Sequence, residues 1–262
     1  METRRRLLDD LRIVLPSWLA ARVLVALSFV LATAVVEHWV AGGDTIALSQ
    51  HLQAWDGSFY SGIASVGYGG LPQEALRFFP LYPLLGRVAG AGSPGAIDVM
   101  LVVIANVAAL AVSVVVRRLV LFEKRSEAEA ERAVWIINLF PASFVLVWGY
   151  AEALFLLLAV GTFLAARRQR FVLAGALAFA AALTRPVGVL LAVPIVIEAL
   201  RAIRNQPETP PTAAAVKVGA SLLPVAGLVA YLAWVRTTFG DALLPFTVQT
   251  ELRGSANPLL RI

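Results

Sequence analysis

The side chains that could do chemistry are few, and they stand at the edges of long apolar runs. Asp56 sits in Trp55-Asp56-Gly57-Ser58-Phe59-Tyr60, Arg77 opens Arg77-Phe78-Phe79-Pro80, Glu152 follows Tyr150-Ala151, Arg185 precedes Pro186, and Asp241 follows Gly240. An ionised carboxylate can take a proton from an attacking group. An arginine offers a planar fork of donors to a carboxylate or a phosphate. Each also has a plainer use. Asp-Gly pairs cap helices and make turns, a glutamate at a helix start complements the dipole, and an arginine at a helix end snorkels or pairs. His38 and His51 are thirteen positions apart in a chain without cysteine, so no metal site or cofactor is expected.

The elements that must position these residues are membrane helices. Of 262 residues 59% are hydrophobic and only 15% are charged, and the mean hydropathy is +0.78, more apolar than a water-soluble domain carries. A lipid bilayer is therefore an expected partner. The net charge of +5 does not point to nucleic acid, because the basic residues fall between apolar runs and form no stripe.

Residues Val14–Val36 form an apolar run interrupted only by Arg22, long enough to cross a hydrocarbon core of roughly 30 Å. Its length favours an uncleaved anchor over a signal peptide, although Ala32-Thr33-Ala34 has cleavage-site character. Residues 37–96 then mix aromatics, glycines, prolines and scattered charges, which predicts an outer loop with short interfacial helices. Apolar runs resume at Ile97–Leu119, Ala133–Gly149, Ala151–Ala166, Phe171–Thr184, Val187–Ile203 and Val218–Val235. The expected fold is all-α and polytopic, with about seven transmembrane helices in a single domain over residues 1–262. Phe171–Thr184 is short, so with Val187–Ile203 it forms either two tilted spans or a re-entrant hairpin around Arg185-Pro186. Asn205–Thr212, with three prolines, reads as an irregular linker.

Of the 22 lysines and arginines, fifteen fall in one alternating set of termini and loops: around Arg4–Arg12, Arg117–Arg132, Arg167–Arg170 and Arg201–Lys217. Six fall in the other set, which contains Arg77 and Arg185. The positive-inside rule makes the first set cytoplasmic, with the N-terminus. In a multi-pass cell-membrane protein of this orientation, Asp56, Glu152, Arg185 and Asp241 all lie on the outer face.

Several segments together resemble one family. Trp55 to Tyr68, reading WDGSFYSGIASVGY, and Arg77 to Pro83, reading RFFPLYP, are similar to the PIG-V mannosyltransferases, which add the second mannose to GPI anchors. Asn138–Phe144 with Tyr150–Phe155, Thr184–Gly188, and Phe239–Phe246 resemble further segments of that family, in the same order. The resemblance implies a GT-C type fold with a catalytic loop on the outer face. It also implies a polyprenyl- or dolichyl-phosphate mannose donor and a glycan or glycolipid acceptor. By this likeness Asp56 is the catalytic base and Arg185 the donor-phosphate ligand, with Glu152, Tyr150, Arg77, Asp241 and Trp55 as further donor or acceptor contacts, and with a pairing to Arg185 as the alternative role of Glu152.

Departures from the pattern are also visible. Ala151 and Ala153 stand where the family has serines, Pro186-Val187 where it has Ser-Asn, and the family continues with further helices past the region of Asp241. A truncated chain is therefore expected. The competing expectations are a transporter or lipid flippase, which would use charges near the bilayer midplane, or an inactive fragment of a transferase.

Overall fold

The computed structural model describes residues 2–39 and 51–253, and every regular element in them is a helix. Residues 40–50 of the expected outer loop, the tail beyond Arg253 and the side chain of His38 lie outside the described residues. The α-helices are α1 (Glu2–Trp39), α2 (Asp56–Val66), α3 (Leu81–Ala89), α4 (Pro94–Phe122), α5 (Glu127–Leu139), α6 (Glu152–Arg167), α7 (Phe171–Ala182), α8 (Ala192–Asn205), α9 (Pro211–Gly219), α10 (Leu223–Phe239) and α11 (Leu244–Arg253). Short 3₁₀ turns join several of them, including Gln73–Arg77, Pro141–Leu146 and Pro186–Leu191.

Four stretches are long and apolar enough to cross a membrane: Arg5–Val36, Pro94–Phe122, Pro186–Asn205 and Pro211–Phe239. The other expected spans are shorter. At a rise of about 1.5 Å per residue, the 12 residues of α7 reach roughly 18 Å and the 16 of α6 roughly 24 Å. The run Ala133–Gly149 is not one helix. Its helix begins earlier, at a capping box in which the Ser126 hydroxyl accepts from the Glu129 amide and the Glu129 carboxylate accepts from the Ser126 amide at 2.9 Å. It ends at Leu139, because the residue before a proline is driven from the helical region, and Phe140 adopts ψ 138° ahead of Pro141. The proline-rich linker is also shorter than expected, since Pro211 opens α9 at a position where its missing N–H costs nothing.

Small residues bring the helices together. One face of α7 carries Ala174, Gly175, Ala178, Ala181 and Ala182, all buried. A Cβ at Gly175 would stand 2.6 Å from the Ala220 carbonyl, and one at Gly227 of α10 would stand 2.7 Å from the Phe179 carbonyl. Backbones approach this closely only where side chains are absent, which is the usual device for packing helices in lipid. By contrast α1 presents Leu19, Val23, Leu24, Leu27, Val30 and Leu31 outward, and only 6% of its most apolar window is buried. Arg22 on this helix does not face lipid: its guanidinium donates to Asn106 Oδ1 at 2.8 Å and to the carbonyls of Trp18 and Leu146.

Charges segregate to the two ends of the bundle. Helix α4 runs from Asp98 to Arg117 and Arg118, α6 from Glu152 to Arg167, and the segment after Arg185 to Arg201. At the basic end Asp10 receives Arg117 and Arg118, while Arg167 makes a two-pronged bond to Glu123, with both contacts at 2.6 Å, and also reaches Glu198. The opposite end gathers the loop helices α2 and α3, the starts of α4 and α6, and the end of α7.

Candidate functional site

The segment Leu52–Gly57 is shaped before it is used. Trp55 takes φ 54°, an unfavourable conformation for a residue with a side chain, and its ring stacks on Trp148 at 5.2 Å. The Tyr150 hydroxyl donates to the Ala54 carbonyl at 3.0 Å, and the Gly149 amide donates to the Leu52 carbonyl at 2.9 Å. Gln53 donates to the Asp98 carbonyl, and its carboxamide lies against Gly149 and Gly57, where a Cβ would collide with it. These contacts hold the entry to α2, so Asp56 begins the helix in a determined direction and Tyr60, four positions on, shares its face.

Arg77 is fixed from both sides. The Tyr231 hydroxyl donates to the Leu76 carbonyl at 2.7 Å and the Tyr68 hydroxyl to the Phe78 carbonyl at 2.6 Å. Its guanidinium lies over the rings of Phe59 and Phe78, at 5.3 and 4.7 Å, and approaches Asp56 to 3.9 Å. Arg77 Nε is buried with no hydrogen-bond partner.

Arg185 arrives from another part of the chain. The Leu81 amide donates to the Leu183 carbonyl at 2.9 Å, joining the segment after Arg77 to the end of α7. The following turn lies directly on that helix end: a Cβ at Gly188 would stand 2.5 Å from the backbone of Ala181 and Ala182, so only glycine fits. Arg185 then reaches Glu152 at the start of α6, donating from Nη1 to Oε1. The other oxygen of Glu152 is buried without a partner.

Together these elements line an open cleft of about 670 Å³, with Asp56, Tyr60, Arg77, Phe155, Thr184 and Arg185 on its walls and Phe246 of α11 across from them. Glu152 borders a different cavity, mostly apolar and about 580 Å³, with Ile136, Phe140 and Leu156. The ion pair thus stands between the two. Burial pushes the Tyr60 hydroxyl far above the usual tyrosine range, and Glu152 and Asp56 reinforce the shift against the opposing charge of Arg185. Tyr60 therefore enters the cleft wall as a neutral O–H.

Of the residues singled out from the sequence, Asp56, Arg77 and Arg185 meet in this cleft, and Glu152 joins them through Arg185. Trp55, Tyr150 and Asp241 are not among the cleft's lining residues. Trp55 and Tyr150 brace the loop, and Asp241 accepts from the Leu243 amide at 2.9 Å in an exposed turn after Gly240, whose φ of 90° suits glycine. Tyr60 and Thr184 were not singled out, although the four-residue spacing of Asp56 and Tyr60 was a readable signal. Among the described residues no group of three His, Asp or Glu side chains is arranged to hold a metal ion. The cleft is lined by one carboxylate, 3.9 Å from the Arg77 guanidinium, and by a second guanidinium from Arg185, an arrangement able to accept a proton beside a bound anion. No family model, no curated protein and no solved structure matches the chain.

Proposed function

We propose that the chain is a membrane glycosyltransferase that moves a sugar, mannose by resemblance, from a polyprenyl- or dolichyl-phosphate carrier to a glycan or glycolipid acceptor. The observation that carries this reading is the convergence of Asp56, Arg77 and Arg185 on one cleft at the end of the bundle opposite the basic end. By the positive-inside rule that end is the outer one, away from cytoplasmic nucleotide sugars, whereas a lipid carrier reaches it within the bilayer. The likeness of the loop and helix-end segments to the PIG-V family supports the same reading, with a GT-C type fold.

In the proposed reaction the acceptor hydroxyl oxygen attacks the anomeric carbon as the bond from that carbon to the carrier phosphate breaks. The phosphate leaves with the bonding pair, and the hydroxyl proton passes to the Asp56 carboxylate. Attack opposite the leaving group inverts the anomeric configuration. Arg185 and Arg77, both on the cleft lining, face the charge that grows on the phosphate. Tyr60 supplies a further neutral donor.

The test is the full-length protein reconstituted in liposomes with polyprenyl-phosphate mannose and candidate lipid-linked mannosides, with the lipid extract read by mass spectrometry. A gain of one hexose on an acceptor with release of polyprenyl phosphate is expected. Carrier consumed by no acceptor, with the sugar-phosphate instead crossing the bilayer intact, would replace this reading with transport.

A further inference from the structure

The basic end of the bundle holds a second cavity, about 620 Å³, that the proposed reaction does not use. Its lining includes Arg6, Asp10, Arg117, Arg118, Phe122 and Arg168, with Asp9 and Leu121 completing the walls. Asp10 is buried and both its oxygens are taken, one by Arg117 and the other by Arg118 at 2.7 Å, while Arg117 also holds Glu127 at 2.5 Å. That network is a rigid wall. Arg168, on the rim, has no carboxylate partner among the described residues and lies 5.6 Å from the ring centre of Phe122. With Glu127 counted beside Asp9 and Asp10, the four guanidiniums at the cavity outnumber the carboxylates by one, leaving an excess of positive charge.

The position identifies the occupant. Two candidate spans, Arg5–Val36 and Pro94–Phe122, terminate beside this cavity, so it lies at the level where hydrocarbon gives way to headgroups. Leu121 and Phe122 form an apolar floor, and Leu7 and Leu8 on the adjoining turn of α1 are exposed, as an acyl chain running beside them requires. The volume is well above that of a single phosphate. We propose that this cavity binds the phosphate-bearing headgroup of an anionic glycerophospholipid from the leaflet at the basic end, held by Arg6, Arg118 and Arg168 between α1, α4 and the end of α6.

Native mass spectrometry of the full chain in detergent, titrated separately with phosphatidylglycerol and phosphatidylcholine of the same acyl chains, tests the assignment. Phosphatidylglycerol is expected to bind about tenfold more tightly, and Arg6→Gln with Arg168→Gln to reduce it to the level of phosphatidylcholine. Arg201→Gln, which removes an exposed arginine at the same end but outside the cavity, is expected to keep the preference. Should the double variant not fold, Arg168→Gln alone decides, because among the described residues this exposed side chain rests only against the Phe122 ring. Equal binding of the two lipids overturns the proposal, as does a preference that survives the variants. Millimolar inorganic phosphate that abolishes the lipid preference would make the cavity a free-anion site instead.

Discussion

Arg185 and Glu152 are thirty-three positions apart in the chain, yet the guanidinium of one donates to the carboxylate of the other across the wall between a polar cleft and an apolar cavity. Each partner is incompletely served: Glu152 keeps one buried oxygen without a hydrogen bond, and Arg185 is the more exposed of the two, at 40% against 22% of side-chain surface. A phosphate entering the cleft can therefore draw on Arg185 without leaving Glu152 wholly unpaired.

Removing either partner alone strands a partly buried charge. Arg185→Ala and Glu152→Gln are each expected to lower stability, while the double variant recovers part of the loss. The coupling should be on the order of 1–2 kcal/mol, between exposed and fully buried pairs. Arg185→Lys keeps the charge but loses the fork, so carrier affinity falls while the melting temperature changes little. Unchanged carrier binding in Arg185→Lys and Arg185→Ala would leave the arginine a purely structural role.

Asp56→Asn keeps the shape of the helix start and removes the basic carboxylate. If Asp56 takes the acceptor proton, kcat falls at least about 100-fold with carrier binding and membrane insertion near normal. Asp241→Asn, in the exposed turn, is expected to leave turnover within about threefold. Activity retained in Asp56→Asn but abolished in Glu152→Gln would move the base to the carboxylate behind Arg185.

Alkaline pH should loosen the brace behind Asp56. Burial, with the negative charge of Asp56 adding to it, pushes the Tyr150 hydroxyl up to about 12 from the ordinary 10. The folded protein then holds this proton more tightly than the unfolded chain. Its contribution is whole below pH 10 and is lost as pH rises through about 12. Tyr60 and Tyr82 shift in the same direction, so the readout is the difference from Tyr150→Phe. Thermal unfolding of the native chain should lose on the order of 1 kcal/mol more over this range than the variant does. Parallel curves would show that the Tyr150 proton is not linked to folding.

Orientation is open to direct labelling. Gly69 is exposed at the cleft end, where a Cβ meets nothing within 4 Å, and Glu208 is exposed in the turn at the basic end. With the basic end cytoplasmic, Gly69→Cys reacts with an impermeant maleimide in intact cells and Glu208→Cys reacts only after lysis. The reverse pattern would place the cleft on the cytoplasmic side and remove the argument for a lipid-borne donor.

Composition and apolar run length were enough to establish a helical membrane chain, because a bilayer demands long apolar stretches with internally bonded backbone. The turn at Gly240-Asp241 was legible locally, whereas the Ser126 capping box and the opening of α9 at Pro211 were not anticipated, the one standing ahead of an apolar run that begins at Ala133 and the other inside an expected linker. The break at Phe140-Pro141 was readable too, but the apolar run through it masked the signal. Pairing was scarcely legible: of the ion pairs, only Glu152 with Arg185 was among the expectations, and it is present. Arg22 required a partner, and only packing chose Asn106, eighty-four positions away. The approach of Asp56 to Arg77 and the division of Tyr60 to the cleft and Tyr150 to the brace follow from the directions side chains take when backbones pack closely. Those directions rest on Gly149, Gly188 and hydroxyl-to-carbonyl bonds between distant segments, contacts that obey no local period and so become visible only when the tertiary structure assembles them.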